Sequence, residues 1–342
     1  MSQKKVLVLG ATGAMGRYLV PRLADMGCAV DAVALDDFPV VHPNIRSIAA
    51  NSKDLKFRTE LLRNNYDGIV DFMIYSTSEI PLFLPEIADA AGHYIYLSSY
   101  RVYDGIEVPV KETSPRLIDS SGDALLRNSD DYCIQKARGE NVLRSFGRKN
   151  WTIVRPAITY SLLRYQLVTL EAHCTVARAK TGRAVALPET AKDVQATMSW
   201  AGDVARMIAG LLFNEKAFGE AFTAATAEHR TWGEIADYYK DICGLRSIWV
   251  DQTDYLKCVV PEYERFPFPG RWQLVYDRLF DRVMDNSKIL AATGMKQEEL
   301  MKLYDGLRYE IGRCPADFGE NIMKSNYPVN VRMDAYLEAR GL

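Results

Sequence analysis

Val6-Leu-Val-Leu-Gly10-Ala-Thr-Gly13-Ala-Met-Gly16 is the stretch from which the fold can be read. Four apolar residues run into three glycines, and an amphipathic pattern follows over Met15–Met26. A short apolar run stopped by glycine reads as a buried strand, and the pattern after it as a helix. Each glycine has its own physical duty. Gly10 allows a tight turn, Gly13 lets backbone approach a pyrophosphate, and Gly16 lets the helix pack close to the sheet. The helix start offers unpaired N–H groups and the positive end of its dipole to phosphate oxygens. With a strand before it and a helix after it, the loop predicts a dinucleotide site made by Gly10, Thr12, Gly13, Ala14, Met15 and Gly16.

Outward from this loop, the first 160 residues alternate short β-rich runs with helical patterns. Val30–Leu35, Ile45–Ala49, Ile69–Ile74, Tyr94–Leu97 and Trp151–Val154 read as further strands, and Pro81–Ala91 and Asp131–Phe146 as helices. That alternation predicts an α/β, Rossmann-like, doubly wound parallel sheet covered on both faces. Pro21 conflicts with its helix, because it removes a hydrogen bond to the Arg17 carbonyl at a cost of about 3 kcal/mol unless packing compensates. Residues 1–160 are expected to form the dinucleotide-binding domain, with a returning segment near 194–225. Residues 161–342 would form a smaller, partly interleaved substrate-binding lobe. In it Leu167–Lys180 and Val204–Phe213 read as helices, Ala221–Ala225 as a strand, and Thr231–Glu234 as a capping box. Glu107–Asp130 reads as a polar surface loop or lid, and Pro261–Pro269 as an irregular loop.

Asp36 lies 20 residues after Gly16, at the end of the second strand. An acid there accepts hydrogen bonds from an adenosine ribose and repels a 2′-phosphate, which favours NAD over NADP. Counted from the turn at Gly27, Ala34 takes that position instead, so the residues leave NADP open.

Composition excludes several classes. The 342 residues are 48% hydrophobic and 25% charged, which is ordinary for a globular protein. With 42 basic and 44 acidic residues, the net charge of −2 argues against a nucleic-acid binder or a polybasic membrane-surface protein. The six cysteines are scattered and the four histidines form no cluster, so neither a disulfide frame nor a metal site is expected. Val6–Leu9 is too short for a signal segment or a membrane span, and the expected compartment is the cytoplasm.

Tyr132 and Lys136 stand four apart on a predicted helix and so share a face. With 19 tyrosines in the chain, the spacing alone carries little information. Its place does, because Ser98-Ser99 ends the fifth strand just upstream, and open parallel sheets bind ligands over the carboxyl ends of their strands. Ser99, Tyr132 and Lys136 are thus expected to converge beside the dinucleotide.

Gly10–Gly16, Ser98-Ser-Tyr-Arg-Val-Tyr103, Tyr132-Cys-Ile-Gln-Lys136 and the stretch from Arg155 to Ser161 resemble the extended short-chain dehydrogenase/reductases, in the NAD-dependent epimerase/dehydratase family. The likeness returns around Asp203 and at Met284–Met295. The resemblance implies Tyr132 as acid/base, Lys136 as its tuner and ribose clamp, and Ser99 as the hydroxyl partner. It also implies NAD as cofactor, a sugar or nucleotide-sugar substrate, and a homodimer. A free tyrosine has a pKa near 10, and a nearby ammonium favours the phenolate.

The pattern departs from the family in several places, among them Pro156-Ala157-Ile158, which stands where an asparagine is common after the sixth strand. Tyr100-Arg101 stands where dehydratases of the family carry an Asp-Glu pair, so dehydration is disfavoured. Ala196–Asp203 lacks the arginine with which sugar epimerases hold a nucleotide diphosphate. Arg164, Arg178, Arg183 and Arg278 are candidates to replace it, and Trp200 to stack on a sugar or base. What the resemblance then implies is an NAD-dependent sugar epimerase or oxidoreductase. An NADPH-linked carbonyl reductase for a smaller metabolite, or a non-catalytic dinucleotide sensor, stays open on the residues alone.

Overall fold

The computed structural model describes residues 3–260 and 269–342, with backbone alone at Pro269 and Gly270. Seven strands form one sheet: β1 (Lys5–Leu9), β2 (Ala29–Ala34), β3 (Ile45–Ala49), β4 (Tyr66–Asp71), β5 (Ala91–Leu97), β6 (Trp151–Pro156) and β7 (Glu220–Ala224). Their spatial order is β7-β6-β5-β4-β1-β2-β3 and every pairing is parallel. Strand order reverses between β1 and β4. That reversal opens a crevice at the carboxyl ends of the strands.

The run Val6–Leu9 is apolar throughout because both faces of β1 are covered. Val6 and Val8 point into one core with Leu19, Val20 and Leu23 of α1 (Gly16–Asp25), and with residues of a later helix, Ala201–Leu211. Leu7 and Leu9 point into the opposite core, with Phe83, Leu84 and Ile87 of the helix Ile80–Asp89 and Leu143 of the helix Tyr132–Arg144. The other helices that flank the sheet are α2 (Leu55–Leu62), α3 (Ile80–Asp89), α4 (Tyr132–Arg144) and α5 (Ala201–Leu211). Helix α1 runs through Pro21, so burial of Leu19, Val20 and Leu23 outweighs the lost hydrogen bond. Helix α2 escaped the periodicity reading. Its local signal is Asp54, whose carboxylate accepts the Phe57 N–H at 2.8 Å.

Beyond β6 the chain builds a third core around Tyr160, Tyr165, Leu187, Trp232, Tyr239, Leu307 and Met333. The segment Glu220–Ala224 returns to the main sheet beside β6, and α5 packs on that sheet against α1. Thr231 caps the helix Trp232–Cys243 with the full capping box. The single helix expected over Leu167–Lys180 is not formed. Leu167 and Leu170 close a tight turn with Val168 at a left-handed φ of 53°, followed by one 3₁₀ turn and the helix Val176–Lys180. Tyr165, Leu167, Val168, Leu170, Ala172, Cys174 and Val176 are all buried, so the apolar pattern there reports enclosure and not one helical face.

Glu107–Asp130 is likewise not a free lid. It holds the short helices Leu117–Ser120 and Ala124–Arg127, and Leu117 and Leu126 pack with Ile134 and Trp272. The loop expected at Pro261–Pro269 lies outside the described residues except for Pro269, which opens the helix Pro269–Gln273. No helix among the described residues is long and apolar enough to cross a membrane.

Candidate active site

The glycine loop closes directly on the sheet. Gly10 and Ala11 donate their N–H groups to the Val33 carbonyl at 2.9 and 3.1 Å, with Gly10 at a φ of 78°. A side chain at Gly16 is impossible without a shift, because its Cβ would sit 2.2 Å from the Ala11 carbonyl oxygen. Gly13 is the exposed tip of the loop. No side chain caps the start of α1. Its first N–H groups are therefore free of side-chain partners and suited to an anion.

A cleft of about 700 Å³ starts at this loop and crosses the carboxyl ends of the strands. Gly10, Thr12, Gly13, Ala14, Met15 and Gly16 line it. Toward β2 and β3 it is walled by Ala34, Leu35, Asp36 and the segment Ala50–Lys53, with Asp36 exposed. At its far end its walls carry Ser99, Arg101, Tyr132, Arg164 and Arg278. Its volume falls in the range of small-molecule and cofactor sites.

At this far end, local structure sets each side chain. Asp131 caps α4 by accepting the Cys133 N–H at 3.0 Å, which makes Tyr132 the first helical residue and places Lys136 one turn later. The two serines that end β5 part ways. Ser98 is wholly buried and donates to Glu140 at 2.6 Å, whereas Ser99 lines the cleft. Lys136 is not in the lining. Its Nζ donates to the main-chain carbonyls of Met73 at 2.9 Å and Leu97 at 2.6 Å, two residues that are, and lies 5.7 Å from the centre of the Tyr132 ring. Burial lowers the Lys136 pKa to about 8, against the opposing charges of Asp71 and Glu140. Burial raises the Tyr132 phenol, while Arg101, Arg164 and the nearby Ser99 hydroxyl pull it down.

Sequence reasoning missed much of the support. Asp71 ends β4 fully buried, accepting from the Met73 N–H at 2.9 Å and the hydroxyls of Tyr75 at 3.0 Å and Tyr94 at 2.8 Å. Desolvation pushes its carboxyl above the usual range. Phe72 and Met73 line the cleft just past β4, a strand expected to run to Ile74. The available signal was the rule that ligands lie beyond strand ends.

The four candidate arginines differ, and Arg278 is also bonded at each nitrogen, to the Val168 carbonyl, Asp277, Tyr100 and Gln166. Arg164 and Arg278 line the cleft. Arg178 is buried on Asp334 at 2.6 Å and the Ala184 carbonyl at 2.7 Å, and Arg183 also pairs with Asp334, so both serve structure. Trp200 lies outside the lining, donating to Glu310 at 2.7 Å and meeting Tyr18 edge-on. In the place of an acidic pair, Tyr100 donates to Asp277 at 2.8 Å and Arg101 faces Tyr132.

No family model and no curated protein sequence matches the chain. Solved structures do. The epimerase Mth375 from Methanothermobacter thermautotrophicus aligns with a TM-score of 0.70 at 14% identity, covering 95% of each chain. UDP-glucuronic acid 4-epimerase from Bacillus cereus, in complex with UDP-glucuronic acid and NAD, gives 0.66 at 14% identity, over 93% of this chain and 99% of that one. The Bordetella bronchiseptica enzyme WbmF in complex with NAD⁺ gives 0.62 at 17% identity, over 95% and 97%. Over nearly its whole length, this chain therefore has the Rossmann-like α/β fold of these epimerases and NAD-bound enzymes.

Proposed function

We propose that this protein is an NAD-dependent epimerase or oxidoreductase that acts on a sugar, and specifically on a nucleotide sugar. One observation carries the reading: a single cleft joins the Gly10–Gly16 loop at one end to Ser99 and Tyr132 at the other. The residues present fit NAD. The uncapped start of α1 suits its pyrophosphate, and the exposed Asp36 carboxylate suits an adenosine ribose and opposes a 2′-phosphate. When bound, NAD would supply reversible hydride acceptance. Likeness to the Bacillus cereus epimerase that holds UDP-glucuronic acid and NAD supports the nucleotide-sugar substrate.

In this reading, the Tyr132 oxygen takes the proton of a substrate hydroxyl as its carbon is oxidised, and returns it on reduction. Ser99 holds the same substrate oxygen by a hydrogen bond. Lys136 fixes the Met73 and Leu97 main chain beneath the cleft and lends positive charge to the phenol. For epimerisation the oxidised sugar would turn over in the cleft before Tyr132 returns the proton, with no net use of cofactor. A reductase would instead use up one reduced nicotinamide cofactor per carbonyl reduced.

The test is mass spectrometry of small molecules released from the native protein, joined to assay of Tyr132→Phe. Expected are stoichiometric NAD, a bound nucleotide sugar, and a fall in turnover of about 10²- to 10⁴-fold with NAD affinity unchanged. Full activity in Tyr132→Phe would end the acid/base assignment.

A further inference from the structure

We propose that Arg101 is a positioning residue for this reaction: its guanidinium is clamped by two buried carboxylates against the Tyr132 ring, where its fixed charge favours the phenolate. The inference rests on the reading of Tyr132 as acid/base. The guanidinium carbon lies 5.4 Å from the centre of the Tyr132 ring, as close as the Lys136 Nζ at 5.7 Å. Arg101 Nη2 donates to Asp131 at 3.3 Å, and Nε lies 3.6 Å from Asp277. Both carboxylates are buried, and Asp277 also pairs with Arg278 and with Arg282 at 3.2 Å. Without Arg101, Asp277 would stay paired with Arg278 and Arg282, and Asp131 would keep the Cys133 N–H.

Two comparisons separate this role from a merely structural one. Arg155, a structural arginine, spends every nitrogen: Nε and Nη2 on Glu140, Nη1 on the Tyr103 hydroxyl and the Glu112 carbonyl. Arg101 lines the cleft, and its buried Nε has no hydrogen-bond partner among the described residues. Lys136, in turn, gives its ammonium to two main-chain carbonyls and sits in a burial that favours its neutral form. A guanidinium keeps its charge under such burial, whereas an ammonium sheds it readily. The other groups that face Tyr132 are Arg164 from the loop beyond β6, Asp131 at the cap of its own helix, Tyr96 of β5 and Ser99. Among the charges acting on the phenol, Arg101 is the strongest that lowers it.

The experiment needs no substrate. Phenolate absorbance is titrated with NAD present, and the same titration of the Tyr132→Phe counterpart is subtracted so that the other tyrosines cancel. In Arg101→Gln the Tyr132 midpoint is expected to rise by about 1 pH unit or more, or past the pH of unfolding. Arg101→Lys, whose buried ammonium sheds its charge before the phenol titrates, is expected to raise the midpoint as well. A midpoint unmoved in folded Arg101→Gln overturns the proposal. If that variant does not fold, Arg101→Met, which adds no unmet polar group, is titrated in its place under the same criterion. Activity retained in Tyr132→Phe would instead overturn the reading beneath it, so the two failures are distinguishable.

Discussion

The two ends of the cleft are built from different materials. At the glycine loop the main chain does the work: Gly10 and Ala11 bond to Val33, and the uncapped start of α1 faces the cavity. At the Tyr132 end, buried side-chain charges do it. Asp71, Lys136, Glu140, Arg155, Asp277 and Arg282 are each at most 1% exposed. The difference teaches where each end is vulnerable. A backbone site is broken by bulk, and a site of buried charges by removing one partner.

Removing one charge is expected to have the largest effect on stability. Glu140 accepts from Arg155 at 2.6 and 2.8 Å, from Arg116 at 3.1 Å and from Ser98, so Glu140→Ala strands a guanidinium that is 1% exposed. A loss of about 3–5 kcal/mol is expected in chemical denaturation, and a loss under about 1 kcal/mol would break the contrast drawn above.

Acid should find the same half of the sheet. His93 is buried on β5, accepting the Phe213 N–H at 2.9 Å and bonded to Thr152 at 2.9 Å. Burial lowers its pKa from 6.5 to about 4. The unfolded chain therefore binds the proton first as pH falls. Its contribution is present above pH 6.5 and is lost as pH falls from there toward 4, by up to about 3 kcal/mol. Denaturation midpoints against pH should flatten over that window in His93→Gln.

At the other end bulk is the lever. Gly16→Ala drives a methyl into the Ala11 carbonyl. The expected cost is about 1–3 kcal/mol, with NAD affinity reduced about tenfold by calorimetry while the phenolate titration of Tyr132 holds. A purely local device supplies the smallest effect. Thr231→Ala removes the capping box of Trp232–Cys243 and should lower thermal stability by about 1 kcal/mol, leaving both ends of the cleft intact.

What could be read in advance follows the same division. Gly10–Gly16 and Asp36 announce themselves because a turn, a helix start and a strand end are written in neighbouring residues. The Tyr132–Lys136 spacing is local too, as is the Thr231 cap. Asp71 and Asp277 carry no local mark; each becomes meaningful only when Tyr75 and Tyr94, or Tyr100 and Arg282, fold onto it. The expected helix over Leu167–Lys180 failed for a related reason, since enclosure on all sides erases the period that a half-buried helix shows. Helix α2 went unread because its apolar face is short and only Asp54 marks its start.

By itself the sequence determined the parallel sheet, the glycine loop and the order in which Ser99, Tyr132 and Lys136 follow it, since strand and helix periods and glycine's freedom act over a few residues. Only the tertiary structure decided that Ser99 faces the cleft while Ser98 is spent on Glu140, that Lys136 holds main chain behind the wall, and that Arg101 lies against Tyr132. Those outcomes depend on which distant charges share a buried space, and at low dielectric such pairings are settled by three-dimensional proximity, which no local pattern encodes.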